Sequence, residues 1–114
     1  MRLTPPEMEL ARKILAGNPL FSYMTPAEAT ELTGAFDKVA MRKGQVLIEQ
    51  GTPGSIFYLI ALGKVGVFRK REFVDMRIAT LGPGDFFGEM SLISNEPRSA
   101  SVVCEEDGIT FTLF

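Results

Sequence analysis

From Asp37 to the last residue, apolar side chains alternate with polar ones, and glycine interrupts the alternation about every ten residues. Val39 and Met41 alternate with their neighbours up to Gly44. Val46 and Ile48 do the same up to the turn Gln50-Gly51-Thr52-Pro53-Gly54. Ile56 to Leu62 is apolar without a break, which suits a strand covered on both faces, and Gly63 closes it. Val65 and Val67 lead to a charged tip, Arg69-Lys70-Arg71-Glu72. Val74, Met76 and Ile78 then return on one face of a hairpin, with Asp75 and Arg77 pointing outward. Gly82-Pro83-Gly84-Asp85 is a turn, Ser99 to Cys104 a strand and Glu105-Glu106-Asp107-Gly108 another turn. Ile109, Phe111 and Leu113 alternate to the end. Short strands with turns this frequent bury their apolar faces as a barrel or a double-sheet roll.

Upstream of Asp37 the period is helical. Thr4-Pro5-Pro6-Glu7 and Thr25-Pro26-Ala27-Glu28 each put threonine at the cap, proline at the first helical position and glutamate two residues later. That is a capping box with a pre-set first turn. Met8, Ala11 and Leu15 form the stripe of the first helix, which Gly17 stops; Ala29, Leu32 and Phe36 recur on the second. Asn18-Pro19-Leu20-Phe21 turns the chain between them. The expected fold is mainly β with flanking helices. Two N-terminal helices occupy residues 1–36 and an antiparallel double-sheet β-roll, jelly-roll-like, occupies 37–114. Together they make a single domain over 1–114.

What the chain lacks narrows its chemistry. It has no histidine, one cysteine and no tryptophan. It can build no internal disulfide, no Cys/His zinc site and no histidine-based nucleophilic triad, so no metal and no enzymatic activity are expected. Cys104 ends the apolar run Val102-Val103-Cys104 and reads as a buried strand thiol. The net charge of -2 gives no general attraction to nucleic acid. Arg69-Lys70-Arg71, flanked by Glu72 and Asp75, reads as a solvated hairpin tip, so no direct nucleic-acid binding is expected. No apolar run reaches the roughly 20 residues of a membrane-spanning helix, so the expectation is a cytoplasmic chain without membrane insertion.

One segment carries chemistry: Phe86-Phe87-Gly88-Glu89-Met90-Ser91-Leu92 through Pro97-Arg98-Ser99-Ala100. Gly88 opens a short helix-like run whose first backbone amides can face an anion, and the lack of a Cβ lets a ligand approach the main chain. Glu89 would repel an anion standing alone. A ligand with both a phosphate and a sugar removes the conflict, the amides taking the phosphate and the carboxylate accepting from a hydroxyl. Arg98, after the break at Pro97, brings a planar fork suited to two phosphate oxygens.

Residues 86–102 resemble the phosphate-binding cassette of the cyclic-nucleotide-binding domain family, F-G-E-(L/M)-(A/S)-L…P-R-(S/T/A)-A-(S/T)-V. The framework Gly44, Glu49-Gln50-Gly51, Phe57-Tyr58-Leu59-Ile60, Gly63 and Leu81-Gly82-Pro83-Gly84-Asp85 is similar too, from about residue 18 onward. The resemblance implies a short helix in the cassette and cAMP or cGMP as ligand. It gives Arg98 the exocyclic phosphate oxygens, Glu89 the ribose 2′-OH, and the amides of Gly88 to Met90 and of Ala100 the rest of the cradle. Ser99 occupies a position where a hydroxyl accompanies cGMP preference in some members and cAMP preference in others, which leaves the base open. The family's helix that covers the purine after the final strand has no counterpart before Phe114, so base-selecting contacts of that helix are not expected from these residues. The expected role is a regulatory module acting on an effector domain or protein. The alternative is a nucleotide-free β-roll serving as a structural or dimerisation unit, a homodimer.

Overall fold

The computed structural model describes residues 2–88 and 97–113. Both capping boxes form. The Thr4 side chain accepts from the Glu7 amide while the Glu7 carboxylate accepts from the Thr4 amide at 2.8 Å, and Thr25 with Glu28 repeats the exchange. They start α1 (Pro5–Ala16) and α2 (Pro26–Gly34). α1 buries Ala11, Ile14 and Leu15, with Met8 only half-buried beside them. Gly17 caps α1 at φ -81°, a right-handed conformation open to any residue. Phe36 lies beyond the end of α2 and is still fully buried, its ring reaching the core from non-helical backbone.

Six strands follow among the described residues: β1 (Asp37–Met41), β2 (Val46–Ile48), β3 (Phe57–Arg71), β4 (Val74–Leu81), β5 (Phe86–Phe87) and β6 (Ser101–Leu113). All pairings are antiparallel. The two long strands belong to both layers. The first part of β3 pairs with the end of β6, flanked by β1 and β5; the second part pairs with the start of β6, flanked by β2 and β4. Between the layers lie Met41, Ile48, Tyr58, Ile60, Val65, Phe87, Val102 and Cys104. On the outer side of the first layer, Phe57, Leu59 and Phe111 pack against Ala11, Ile14, Leu15 and Phe36. The unbroken apolar run of β3 is thereby explained: alternate residues feed two different cores. The mainly-β double-layer roll with two N-terminal helices agrees with the pattern in the sequence, and Cys104 is buried as expected. Within the described residues no helix is long and apolar enough to cross a membrane.

The strand end expected at Gly63 and the turn expected at 105–108 are both absent. Gly63 and the run 105–108 both lie inside long strands, and they face each other where β3 and β6 shift register between Ile60 and Val65. Gly63 takes φ +92°, and a Cβ on Gly108 would fall 1.9 Å from the Leu62 carbonyl oxygen. These bulges bend both strands together from one layer into the other, a job glycine performs because nothing larger fits.

The hairpin also differs from expectation. Its turn is Glu72-Phe73, with Arg69, Lys70 and Arg71 still inside β3. Val74, Met76 and Ile78 share a face, but that face is exposed at 61%, 53% and 47%. Arg77 instead turns toward the body, where its guanidinium sits over the Phe68 ring and pairs with the Glu105 carboxylate. The cause is position: β4 ends the strand order, and among the described residues no layer covers its outer face.

Candidate anion-binding site

Arg98 is fixed by its backbone before its side chain is considered. Its amide donates to the Thr52 carbonyl at 2.9 Å, and its carbonyl accepts from the Gly51 amide at 2.8 Å. The loop after β2 and the segment before β6 therefore run side by side. Gln50 extends the seam. Its amide donates to Ser101 Oγ at 2.9 Å, and its side chain accepts from the Lys70 amide at 2.7 Å and donates to the Lys70 carbonyl at 3.3 Å. Arg69 Nε donates to the Ser99 carbonyl at 3.2 Å.

The guanidinium of Arg98 is half-buried and donates to two carbonyl oxygens, from Nη2 to Ile56 at 3.0 Å and from Nη1 to Gly88 at 3.5 Å. Glycine makes room on two sides. A Cβ on Gly54 would lie 2.7 Å from Nε, and one on Gly88 would lie 2.7 Å from the Ile56 carbonyl oxygen and 3.1 Å from Nη1. Gly88 also takes φ +85°, a conformation that favours glycine. Beneath them Tyr58 stacks on Phe87, ring centroids 4.6 Å apart, and its hydroxyl donates to the Leu47 carbonyl at 3.2 Å. Burial raises the Tyr58 pKa above the ordinary phenol value, and the positive charge of Arg98 works against that rise.

Neutral carbonyls orient a guanidinium without neutralising it. Among the described residues no carboxylate pairs with Arg98. Of five N–H donors in a rigid fork, those not committed to Ile56 and Gly88 remain for an anion, in a setting less screened than water.

Gly88 and Arg98, separated by the whole cassette, are thus brought into contact. Ser99 is exposed and Ala100 half-buried beside them. Glu89, Met90 and the expected short helix lie outside the described residues. Three contributors escaped the sequence: Gly54, the Ile56 carbonyl and Gln50. Gly54 carried a signal only as part of a turn, because its role is a contact with a residue far along the chain.

The sequence pattern of the cyclic nucleotide-binding domain matches residues 38–114. The chain belongs to this family. Over 88% of its length the domain is 40% identical to the cyclic AMP receptor protein of Thermus thermophilus, covering 47% of that protein. It is 38% identical over 78% of its length to a cAMP-dependent protein kinase regulatory subunit of Aspergillus fumigatus, covering 21% of that protein. The domain therefore spans between about a fifth and about half of these relatives. Its fold superposes on the regulatory domain of Toxoplasma gondii PKA, solved with cAMP, with a TM-score of 0.90 over 97% of this chain and 42% of that one, at 23% identity.

Proposed function

We propose that this domain is a regulatory module that binds cAMP or cGMP and passes the resulting change to an effector. Arg98 takes the exocyclic oxygens of the cyclic phosphate, and amides from Gly88 to Met90 and of Ala100 line the rest of the cradle. Glu89 accepts from the ribose 2′-OH. Ser99, exposed at the rim, is compatible with either purine. No step of this function is catalytic. Family membership supports the reading, as do relatives named for cyclic AMP. The observation that carries it is the Arg98 guanidinium, half-buried and oriented by two neutral carbonyls beside Gly88.

Isothermal titration with cAMP and with cGMP tests it. The native chain should bind at least one of them. Arg98→Ala leaves a partly buried phosphate without its cation, a cost of about 3–5 kcal/mol and so a loss of ~10² to 10³ in affinity. Arg98→Lys should recover part of this, since the charge returns without the fork. A folded native chain that binds neither nucleotide would instead support a nucleotide-free β-roll used as a structural unit.

A further inference from the structure

We propose that the open edge of β4 pairs with the same edge of a second copy of this chain, in one register, to form a two-fold symmetric dimer. β4 ends the strand order and, among the described residues, no strand lies on its outer side. The phase of its backbone follows from Gln50. Both the amide and the carbonyl of Lys70 bond the Gln50 side chain, on the side of β3 away from β4. Lys70 pairs with Asp75, so theirs is a non-hydrogen-bonded pair, and the Asp75 amide and carbonyl point away from β3 to the open edge. Two residues on, Arg77 does the same. Val74 and Met76 point their backbone groups inward to β3.

An edge that presents amides and carbonyls is a template for another strand unless charge or shape forbids it. The bulge at Ile78 limits the regular edge to residues 74–77, and its charges are Asp75 and Arg77, the latter also paired with Glu105. Two-fold pairing must place outward-pointing residues opposite each other, so each register is defined by the residue on the axis. With Asp75 on the axis it would face its own copy, and with Arg77 on the axis Arg77 would. Both registers are repelled. With Met76 on the axis, Asp75 lies opposite Arg77 of the second copy and Arg77 opposite its Asp75, each pair exchanging two backbone hydrogen bonds. The two Met76 side chains then meet across the axis. The exposed Val74 and Met76 of each copy form one row across the dimer, and the regular edge ends at Arg77, because a bulge at Ile78 shifts the β3–β4 register. Opposite charges and the Met76 pair placed across the strands favour this register over its neighbours.

Sedimentation equilibrium on the full chain without nucleotide tests the association, independently of the ligand site. The native chain should form dimers as concentration rises. Asp75→Lys sets like charges across both pairs and should raise the dimer dissociation constant by about tenfold or more. Mixing it with Arg77→Asp should restore association, because each copy then supplies what the other lacks. Circular dichroism checks that Arg77→Asp, which also loses Glu105, remains folded. Register is read by cysteine cross-linking with diamide as oxidant, a test that does not depend on that variant. Met76→Cys should give a covalent dimer, since paired Cα atoms at a non-hydrogen-bonded site are about 4.5 Å apart. Val74→Cys should not, its two copies being roughly 14 Å apart along the strand. A chain that stays monomeric throughout, a dimer indifferent to Asp75→Lys, or equal cross-linking at 74 and 76 overturns the proposal.

Discussion

The guanidinium of Arg98 occupies the space where a side chain at position 54 would begin: a Cβ on Gly54 would stand 2.7 Å from Nε and 2.8 Å from Nη2. Both atoms belong to the far end of a flexible side chain, so the fold can yield there at little cost, but the fork cannot keep its place. Gly54→Ala is therefore expected to keep its thermal midpoint and lose nucleotide affinity. Losing one good charged hydrogen bond, about 1.5–3 kcal/mol, corresponds to about tenfold or more in dissociation constant. Calorimetry of the two proteins with cAMP, next to a thermal melt of each, decides it. Unchanged affinity would remove Gly54 from the site.

Glu89 should reveal itself through the sugar. If its carboxylate accepts from the ribose 2′-OH, a ligand lacking that hydroxyl leaves a desolvated charge without its donor, at roughly 1–3 kcal/mol. Accordingly 2′-deoxy-cAMP is expected to bind about tenfold more weakly than cAMP. The gap should narrow in Glu89→Gln. Competition titrations with both ligands on both proteins measure the difference of differences, and equal affinities throughout would place Glu89 outside the ribose contact.

The parts of this molecule legible in the sequence are those whose cause is local. A capping box needs only Thr4, Pro5 and Glu7, and Thr25 to Glu28 repeats it, so both helix starts stand where the pattern puts them. The joint spacing of Gly88, Pro97 and Arg98 likewise survives as a contact between Gly88 and Arg98. What stayed hidden depends on distant partners. Gly63 looks like any turn glycine until β6 is laid beside it and Gly108 meets Leu62. The alternation of Val74, Met76 and Ile78 tells that they share a face, but whether that face is covered depends on β4 being last in the sheet. Gln50 gives no local sign that it will clamp Lys70.

Acid should loosen the helical end through Glu7. Its pKa falls from the ordinary 4.5 to about 2, chiefly because its carboxylate accepts from the Thr4 amide and then because of Lys38, whose Nζ lies 2.9 Å away. A carboxyl held down by folding adds stability that is complete above its unfolded value and disappears as pH falls through the folded one. The window is thus pH 4.5 down to about 2. Glu28 is lowered in the same direction by Thr25. Chemical denaturation at a series of pH values should show stability declining across this window, with a shallower decline in Glu7→Gln. Parallel slopes for the two proteins would mean that the cap does not titrate with folding.

The corner where β3 and β6 bend together makes the sharpest demand on stability. A Cβ on Gly108 would meet the Leu62 carbonyl oxygen at 1.9 Å and the Leu62 carbonyl carbon at 2.5 Å. Both are backbone atoms of a paired strand, so neither can step aside without disturbing the pairing of β3 with β6. Gly108→Ala is expected to cost at least the 1–3 kcal/mol typical of overpacking, a fall of several degrees in midpoint. Gly82→Ala is the matched control. It lies in the turn before β5, without positive φ and with nothing within 4 Å of its would-be Cβ. There the loss of unfolded-chain freedom should leave stability unchanged or slightly raised. Differential scanning calorimetry of the pair separates a steric cause from a general preference for glycine in turns. Equal midpoints for the two variants would mean that the strands can part at this corner, and the corner would then be a hinge rather than a fixed bend.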